Sequence, residues 1–367
     1  MPSRAIAGAA RARRHSSPGR RRPPAEATPC RRARSAPLLP SSSSPGCPAL
    51  LVDPFRARFP WYGPHLQTIR NPLRPPPVLP GGPGLPLHLP LGDGDVLSAR
   101  LDLPPQPDTG RPTLLLVHGL GGCETSPYML AASAHFTAIG CQVVRLSLRG
   151  SGPSGASCRG WSHAGRFGDL EAICAQLPAG AAGLVVLGFS LGGNLVLNYA
   201  ARGKLDPRLV AAISVSAPID MLAASDLIHR PKNKLYHDYL LRALKAIYLN
   251  PHSSLTAVER QGVARARTLF AIDDLFTAPH HGFRGAPDYY RRVSALPWLE
   301  ALPVPTLLIH AVDDPFISAD AYRGLTSKGS LRLALAEGGG HLGFHDRQGL
   351  WHLRHAERFL DNLPHLA

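Results

Sequence analysis

The stretch Gly183-Leu-Val-Val-Leu-Gly-Phe-Ser-Leu-Gly-Gly-Asn194 decides the fold of this chain. Its apolar first half is typical of a strand buried on both faces, and residues 194–201 have the pattern of a helix. Between them lies a G-x-S-x-G pattern over residues 188–192. In a strand–turn–helix context this pattern forms a sharp turn that exposes its serine in front of a helix N-terminus, where negative charge is favoured. Ser190 is therefore the candidate nucleophile.

Strand and helix patterns alternate on both sides of this stretch, beginning at Thr113. Strands are expected at 113–118, 141–147, 183–189, 209–216, 304–310 and 331–336. Helices are expected near 127–139, 168–177, 191–202, 318–326 and 347–361. A hairpin pattern around Gly92-Asp-Gly-Asp95 precedes them. An antiparallel start followed by repeated βα units predicts an α/β fold with a mixed, mostly parallel sheet that helices cover on both faces.

Residues 220–300 interrupt this alternation and have the position and size of a cap insertion over a pocket. The segment 235–248 shows helical spacing of its apolar residues, which predicts that they form one buried face. These apolar residues include Leu235, Tyr239, Leu240, Leu244, Ile247 and Tyr248. No cluster of arginine or lysine in the insertion marks a charged acyl group, so we expect an apolar pocket.

Two other strand ends carry residues that a serine nucleophile needs. Asp313 and Asp314 follow the strand at 304–310, where an acid can orient a histidine. Adjacent side chains of an extended segment point in opposite directions, so only one of them can serve. Asp314 is the preferred acid and Asp313 a capping or supporting residue, although the reverse assignment stays open. His341 follows three glycines after the strand at 331–336, where the base belongs.

The glycine-rich loop His118-Gly-Leu-Gly-Gly122 follows the first parallel strand and is suited to an oxyanion hole. The backbone N–H groups of Leu120 and Leu191 are its expected donors. The loop could instead cradle a phosphate, but neither G-x-G-x-x-G nor a Walker lysine is present. His118 itself is expected to be a packing residue.

Several stretches together carry a family resemblance. They are residues 61–69, 118–122, 149–150, 188–194, 276–279, 282–283, 288–290, 313–316 and 339–344. With them the chain, from about residue 53 to its end, resembles the YheT-like branch of the α/β-hydrolases, the AB hydrolase 4 family. The resemblance implies an α/β-hydrolase fold and a charge-relay system of Ser190, Asp314 and His341.

These residues predict a carboxylesterase-like serine hydrolase that acts through an acyl-enzyme on a small-molecule ester. An apolar pocket favours uncharged esters of short-to-medium acyl chains. Acyl transfer to an alcohol, a lipase or phospholipase activity and a non-catalytic binding role remain alternatives. This chemistry requires no metal or organic cofactor. The spacing of His341 and His345, with Asp346 adjacent, resembles a metal site, but the sequence offers no convincing third ligand.

The distribution of charge along the chain bears on whether the protein binds nucleic acid. The net charge of +15 is concentrated in residues 1–40, whose ten arginines and one glutamate leave only +6 on the remaining 327 residues. Residues 1–48 are rich in arginine, proline and serine, and we expect a disordered tail that serves neither fold nor chemistry. A transit peptide or a start assigned too early would also account for it. Nucleic-acid binding is therefore not expected.

The cysteines show no regular spacing and favour reduced thiols in a cytoplasmic protein over disulfides or a zinc site. They are Cys30, Cys47, Cys123, Cys141, Cys158 and Cys174. No apolar run approaches the roughly 18 residues of a transmembrane segment, which leaves peripheral membrane contact open.

Overall fold

The computed structural model describes residues 52–363, so the predicted tail of residues 1–48 lies outside the described residues. Within that range the main sheet has eight strands. They are β1 (Leu85–Pro90), β2 (Val96–Asp102), β3 (Thr113–Val117), β4 (Val143–Leu146), β5 (Leu184–Phe189), β6 (Leu209–Val215), β7 (Thr306–Ala311) and β8 (Leu331–Ala336). Their order across the sheet is β1-β2-β4-β3-β5-β6-β7-β8.

Strands β3 to β8 run parallel to one another, while β1 and β2 form an antiparallel hairpin that joins the edge through β4. The predicted mixed, mostly parallel sheet is confirmed. Because parallel strands share a direction, the loops after β3, β5, β7 and β8 meet at one edge of the sheet, where ligands bind in folds of this kind.

Both faces of the sheet are buried, as β3 illustrates. Leu114 and Leu116 belong to one hydrophobic cluster, and Leu115 and Val117 belong to another. Successive side chains of a strand point to opposite faces, so a continuous run of apolar residues is what a doubly covered strand requires.

The described residues form thirteen α-helices, some of which pack on the two faces of the sheet. They are α1 (Gly63–Leu73), α2 (Pro127–Ala138), α3 (Ser154–Ser157), α4 (Gly168–Cys174), α5 (Leu191–Arg202), α6 (Met221–Ile228), α7 (Lys234–Tyr248), α8 (Ala257–Arg265), α9 (Leu269–Ile272), α10 (Ala278–His280), α11 (Ala286–Val293), α12 (Asp320–Arg323) and α13 (Trp351–Asp361). None of these helices, in the part of the chain that is described, combines the length and apolarity that crossing a bilayer would need.

Three helices differ from the sequence expectations. Helix α1 is not among the expected helices, and its Pro64 lies in the first turn, where proline is tolerated. The last helix begins only at Trp351, since a short hairpin of β9 (His345–Asp346) and β10 (Gly349–Leu350) precedes it. The helix expected at 318–326 is the single turn α12.

The chain between β6 and β7 forms helices α6 to α11 and a final 3₁₀ turn, Leu296–Ala301. The prediction for the apolar face of α7 is wrong at two residues, because Leu235 is 84% exposed and Tyr239 is 60% exposed. The buried residues of α7 follow a four-three-four spacing along the opposite stripe of the helix. They are His237, Leu241, Leu244 and Tyr248.

A buried ion pair ties the edge hairpin to the sheet. The Arg145 guanidinium on β4 donates two hydrogen bonds to the Asp102 carboxylate on β2, over 2.6 and 2.9 Å. It also donates to the carbonyl oxygens of Glu124 and Pro83, and the Ser133 hydroxyl of α2 donates to Asp102. Because every partner is satisfied, the pair is stable as a unit but sensitive to the loss of either member.

We therefore predict that Asp102→Asn lowers the free energy of unfolding by about 3–5 kcal/mol, because the buried Arg145 charge loses its counter-ion. Chemical denaturation measures this change. The matched control is Asp361→Asn, which breaks the more exposed pair between Asp361 and Arg111. That variant should lose less than about 1 kcal/mol. Equal losses in the two variants would contradict the assigned role of burial.

Candidate active site

Ser190 lies between the last residue of β5 and the first residue of α5. Its φ of 52° and ψ of −121° are dihedral angles that residues with side chains rarely adopt. The turn requires glycine at positions 188 and 192, because neither site has room for a Cβ. A Cβ on Gly188 would lie 2.3 Å from the Gly192 carbonyl oxygen, and a Cβ on Gly192 would lie 2.4 Å from the His118 carbonyl oxygen. Glycine at both positions therefore lets the backbone close up and hold the serine hydroxyl at the edge of the sheet.

His341 lies in the loop after β8, and its Nε2 is 2.9 Å from Ser190 Oγ. Helix α1 supports this loop, because the His341 backbone N–H donates to the Thr68 hydroxyl oxygen over 2.9 Å. A Cβ on Gly340 would lie 2.3 Å from the carbonyl oxygen of Pro64. The glycines before His341 thus allow α1 to pack closely against the loop that carries the imidazole.

Asp314 lies in the loop after β7, with its Oδ2 2.7 Å from His341 Nδ1. Its Oδ1 accepts hydrogen bonds from the backbone N–H groups of Phe316 and Ile317, over 3.1 and 3.0 Å. Burial alone would raise the pKa of Asp314, but the adjacent His341 and the N–H donors outweigh burial and lower it. The carboxylate therefore stays ionised beside the imidazole.

Asp313 makes a different contact, since its Oδ1 accepts the backbone N–H of Gly340 over 2.8 Å. Burial raises the pKa of Asp313, in contrast to Asp314. The two neighbouring carboxylates thus point apart, one to the imidazole and one to the backbone of the loop that carries it.

The loop after β3 approaches the serine closely. A Cβ on Gly119 would lie 3.0 Å from Ser190 Cβ, and the next residue, Leu120, lines the same cavity as Ser190. Among residues 52–363, no group accepts a hydrogen bond from the backbone N–H of Leu120 or of Leu191. Two unused donors beside a serine hydroxyl are able to stabilise an oxyanion.

His118 packs within the same loop, as its position in the sequence indicated. Its Nδ1 donates to the carbonyl oxygen of Gly119 over 2.7 Å, and its Nε2 accepts the backbone N–H of Leu148 over 3.0 Å. Burial lowers the pKa of His118 to about 4, so the imidazole is neutral. Both nitrogens are occupied by the backbone, which leaves none for chemistry.

His345 and Asp346, which invited comparison with a metal site, take part in separate contacts. His345 Nε2 lies 3.0 Å from Arg70 Nη1, and Asp346 forms an ion pair with Arg354. In the described part of the chain, no three histidine, cysteine, aspartate or glutamate side chains converge to hold a metal.

A cavity of about 780 Å³ contains Ser190 and His341 in its wall. Helices between β6 and β7 contribute much of its apolar surface, together with the loop after β7. The apolar residues include Met221, Ile228, Leu240, Leu244, Phe316 and Ile317. Leu235 and Tyr239, the exposed residues of α7, also line it, which explains why apolar side chains occur on that face.

Sequence reasoning missed Thr68 and Asp273, which the structure brings to the same cavity. Thr68 lies in the stretch 61–69 that contributed to the family resemblance, but no local pattern indicated its contact with His341, 273 residues away. Asp273 lies next to Asp274 in a helical segment between β6 and β7, where aspartates are usually exposed.

Comparisons with known proteins agree with this architecture. Residues 112–348 match the family described as alpha/beta hydrolase fold. YheT of Escherichia coli (strain K12), named as a candidate esterase, is 32% identical over 263 residues, which cover 70% of this chain and 77% of that protein. The esterase Pf2001 of Pyrococcus furiosus has a TM-score of 0.51 at 14% identity over 79% of this chain and 99% of that one, a likeness of fold alone.

Two relatives have names that refer to lipids. The mouse phospholipase ABHD3 is 30% identical over 248 residues, or 66% of this chain. The monoacylglycerol lipase of Saccharomyces cerevisiae (strain ATCC 204508 / S288c) is 26% identical over 277 residues, or 69% of this chain. The matches span only 60% of the length of each of these two relatives. The chain belongs to the α/β-hydrolase family, in the branch that contains YheT.

Proposed function

We propose that this hydrolase is a serine carboxylic-ester hydrolase that works through an acyl-enzyme. The observation that carries the proposal is the hydrogen-bonded series Ser190–His341–Asp314, with distances of 2.9 and 2.7 Å. Nucleophile, base and orienting acid lie within the distances that proton transfer requires. The series ends at the wall of a mostly apolar cavity, beside two backbone N–H donors that have no acceptor in the described part of the chain.

In this mechanism His341 Nε2 takes the proton of Ser190 as the hydroxyl oxygen attacks the ester carbonyl. The N–H groups of Leu120 and Leu191 stabilise the negative charge on the carbonyl oxygen. His341 then returns the proton to the leaving alcohol, and a water molecule activated by His341 releases the acid. Asp314 holds the imidazole in the correct tautomer and stabilises its cation throughout.

The cavity supports uncharged esters with short-to-medium acyl chains as substrates. Transfer of methylene groups from water to its apolar surface is favourable in free energy. The lipase and phospholipase names of two relatives also fit an ester bond attached to an acyl chain. A cytoplasmic location is supported by Cys123, Cys141, Cys158 and Cys174, which are all free thiols.

We predict that Ser190→Ala abolishes labelling by a fluorophosphonate and removes nearly all esterase activity, because the nucleophile is lost. Gel-based labelling and hydrolysis of p-nitrophenyl butyrate measure the two effects. Ser162→Ala is the matched control, because Ser162 lines the same cavity. The Ser162→Ala variant should still be labelled by the fluorophosphonate. Labelling that persists in Ser190→Ala would assign the nucleophile elsewhere.

We further predict that Asp314→Asn lowers kcat by about 10³–10⁴-fold, because the imidazole loses both its orientation and its counter-charge. Asp313→Asn is the control, and it should cost far less because Asp313 contacts the backbone of Gly340. Steady-state kinetics on one ester compares the two variants. The opposite ranking would reverse their roles.

A third prediction concerns chain length. In an ester series from acetyl to palmitoyl, kcat/KM should rise about fourfold per carbon until the cavity is full, since each buried methylene contributes about 0.8 kcal/mol. Leu240→Ala should weaken this gain, because Leu240 lines the cavity. The adjacent Leu241→Ala should lower only stability, since Leu241 is part of the core. A flat response, or activity confined to aminoacyl amides, would contradict an apolar acyl site.

A further inference from the structure

The cavity that contains Ser190 and His341 also has a strongly polar region in its wall. Among the described residues that line the cavity, Asp273 is the one acidic side chain. Thr277, Tyr248 and Tyr290 line the same cavity. None of these four residues takes part in the proposed acyl-transfer chemistry, so their presence in the substrate cavity calls for a separate explanation.

Hydrogen bonds hold the Asp273 carboxylate in place from two sides. The Thr277 hydroxyl donates to its Oδ1 over 2.7 Å, and the Tyr290 hydroxyl donates to its Oδ2 over 2.7 Å. Since Thr277 gives its only proton to Asp273, the Tyr248 hydroxyl, 2.5 Å away, donates to Thr277. Residues Asp273–Thr277 form a turn of π-helix, a rare geometry that is frequent at functional sites.

The carboxylate has no cationic partner among residues 52–363. His229 is a nearby basic side chain, but backbone groups occupy both of its ring nitrogens. Its Nδ1 lies 2.6 Å from the Ser225 carbonyl oxygen, and its Nε2 accepts the Phe270 N–H. Burial raises the pKa of Asp273 to about 6, so the carboxylate is still largely ionised at neutral pH. An ionised carboxylate with few partners in a cavity is costly unless a ligand completes its hydrogen bonds.

We propose that Asp273 determines substrate specificity by accepting a hydrogen bond from a free hydroxyl group of the ester substrate. The inference rests on the proposed esterase function and adds the class of ester: one that carries a hydroxyl in its alcohol or acyl part. Thr277, Tyr248 and Tyr290 are positioning residues that keep the carboxylate in one orientation.

A hydroxyl group fits this site better than a cation does. The donors already bound to Asp273 are neutral hydroxyls, and the carboxylate oxygens retain lone pairs for a further donor of the same kind. Lys232 and Arg242 also line the cavity and disfavour a positively charged substrate. The apolar part of the cavity accommodates the hydrocarbon chain, while the Asp273 region accommodates the hydroxyl.

The test compares esters that differ only by hydroxyl groups. The first pair is 1-monobutyrylglycerol and propyl butyrate, which probes the alcohol part. The second pair is propyl 3-hydroxybutyrate and propyl butyrate, which probes the acyl part. The ratio of kcat/KM values within a pair cancels any change in the triad. In one of the two pairs, a hydrogen bond to a charged acceptor should make kcat/KM for the hydroxyl-bearing ester about 10–100 times that for propyl butyrate.

Asp273→Asn should lower that ratio by about tenfold or more, because a neutral amide is a weaker acceptor than a carboxylate. Asp274→Asn is the matched control, since Asp274 accepts the Ala286 N–H and does not line the cavity. It should leave the ratio unchanged. If Asp273→Asn does not fold, Thr277→Val provides the second variant, which keeps the charge, loosens the carboxylate and should lower the ratio partly.

Three outcomes would overturn the inference while leaving the esterase function intact. Wild-type protein would hydrolyse both members of each pair equally, or the preference would persist in the Asp273 and Thr277 variants. Alternatively, butyrylcholine would be preferred over 1-monobutyrylglycerol in a manner that depends on Asp273, which would identify a cation site. Failure to hydrolyse any ester would instead refute the proposed function, and the inference with it.

Discussion

The close contact between Gly192 and the carbonyl groups of Val117 and His118 is the constraint on which the rest of the site depends. A Cβ at Gly192 would lie 2.4–2.5 Å from those oxygens, so only glycine lets α5 begin this close to β3. At this junction Ser190 has a φ of 52°, and among residues 52–363 the N–H of Leu191 has no acceptor. This backbone contact therefore lies beside both the candidate nucleophile and a candidate oxyanion donor.

Helix α1 provides the second constraint, because it holds the loop that carries His341. The Gln67 side chain donates to the His345 carbonyl oxygen over 3.0 Å and accepts the His345 N–H over 2.8 Å. Thr68 accepts the N–H of His341, and Asn71 donates to the carbonyl oxygen of Leu342. These bonds fix the backbone of a loop that would otherwise have little regular structure, so the imidazole has a defined position relative to Ser190.

The helices between β6 and β7 give the cavity two different environments. Side chains such as Leu240 and Leu244 provide an apolar surface, whereas Asp273 and its hydroxyl partners provide a polar one. An ester with a hydrocarbon chain and a hydroxyl group would satisfy both regions at once. Substrate choice in this protein would then depend on the helices between β6 and β7, while the proposed chemical step would depend on the edge of the sheet.

The sequence by itself determined the elements whose evidence is contiguous. The strand before Ser190, the helix after it and the glycines between them are all read from residues 183–194, because periodicity and glycine placement are local properties. A serine, an acid and a histidine follow three strands of the parallel set, β5, β7 and β8, which likewise predicts that they meet, since parallel strands end at one edge.

Only the tertiary structure decided which side chains meet across long separations. Asp313 and Asp314 are adjacent in sequence, and the direction of each depends on how the loop after β7 packs against the loop of His341. Helix α1 escaped prediction because its own sequence contains two prolines and the residues that it contacts, 341–345, are distant in the chain. Asp273 has no local signal, because the hydroxyls that hold it and the cavity it lines are assembled from separate segments of the chain.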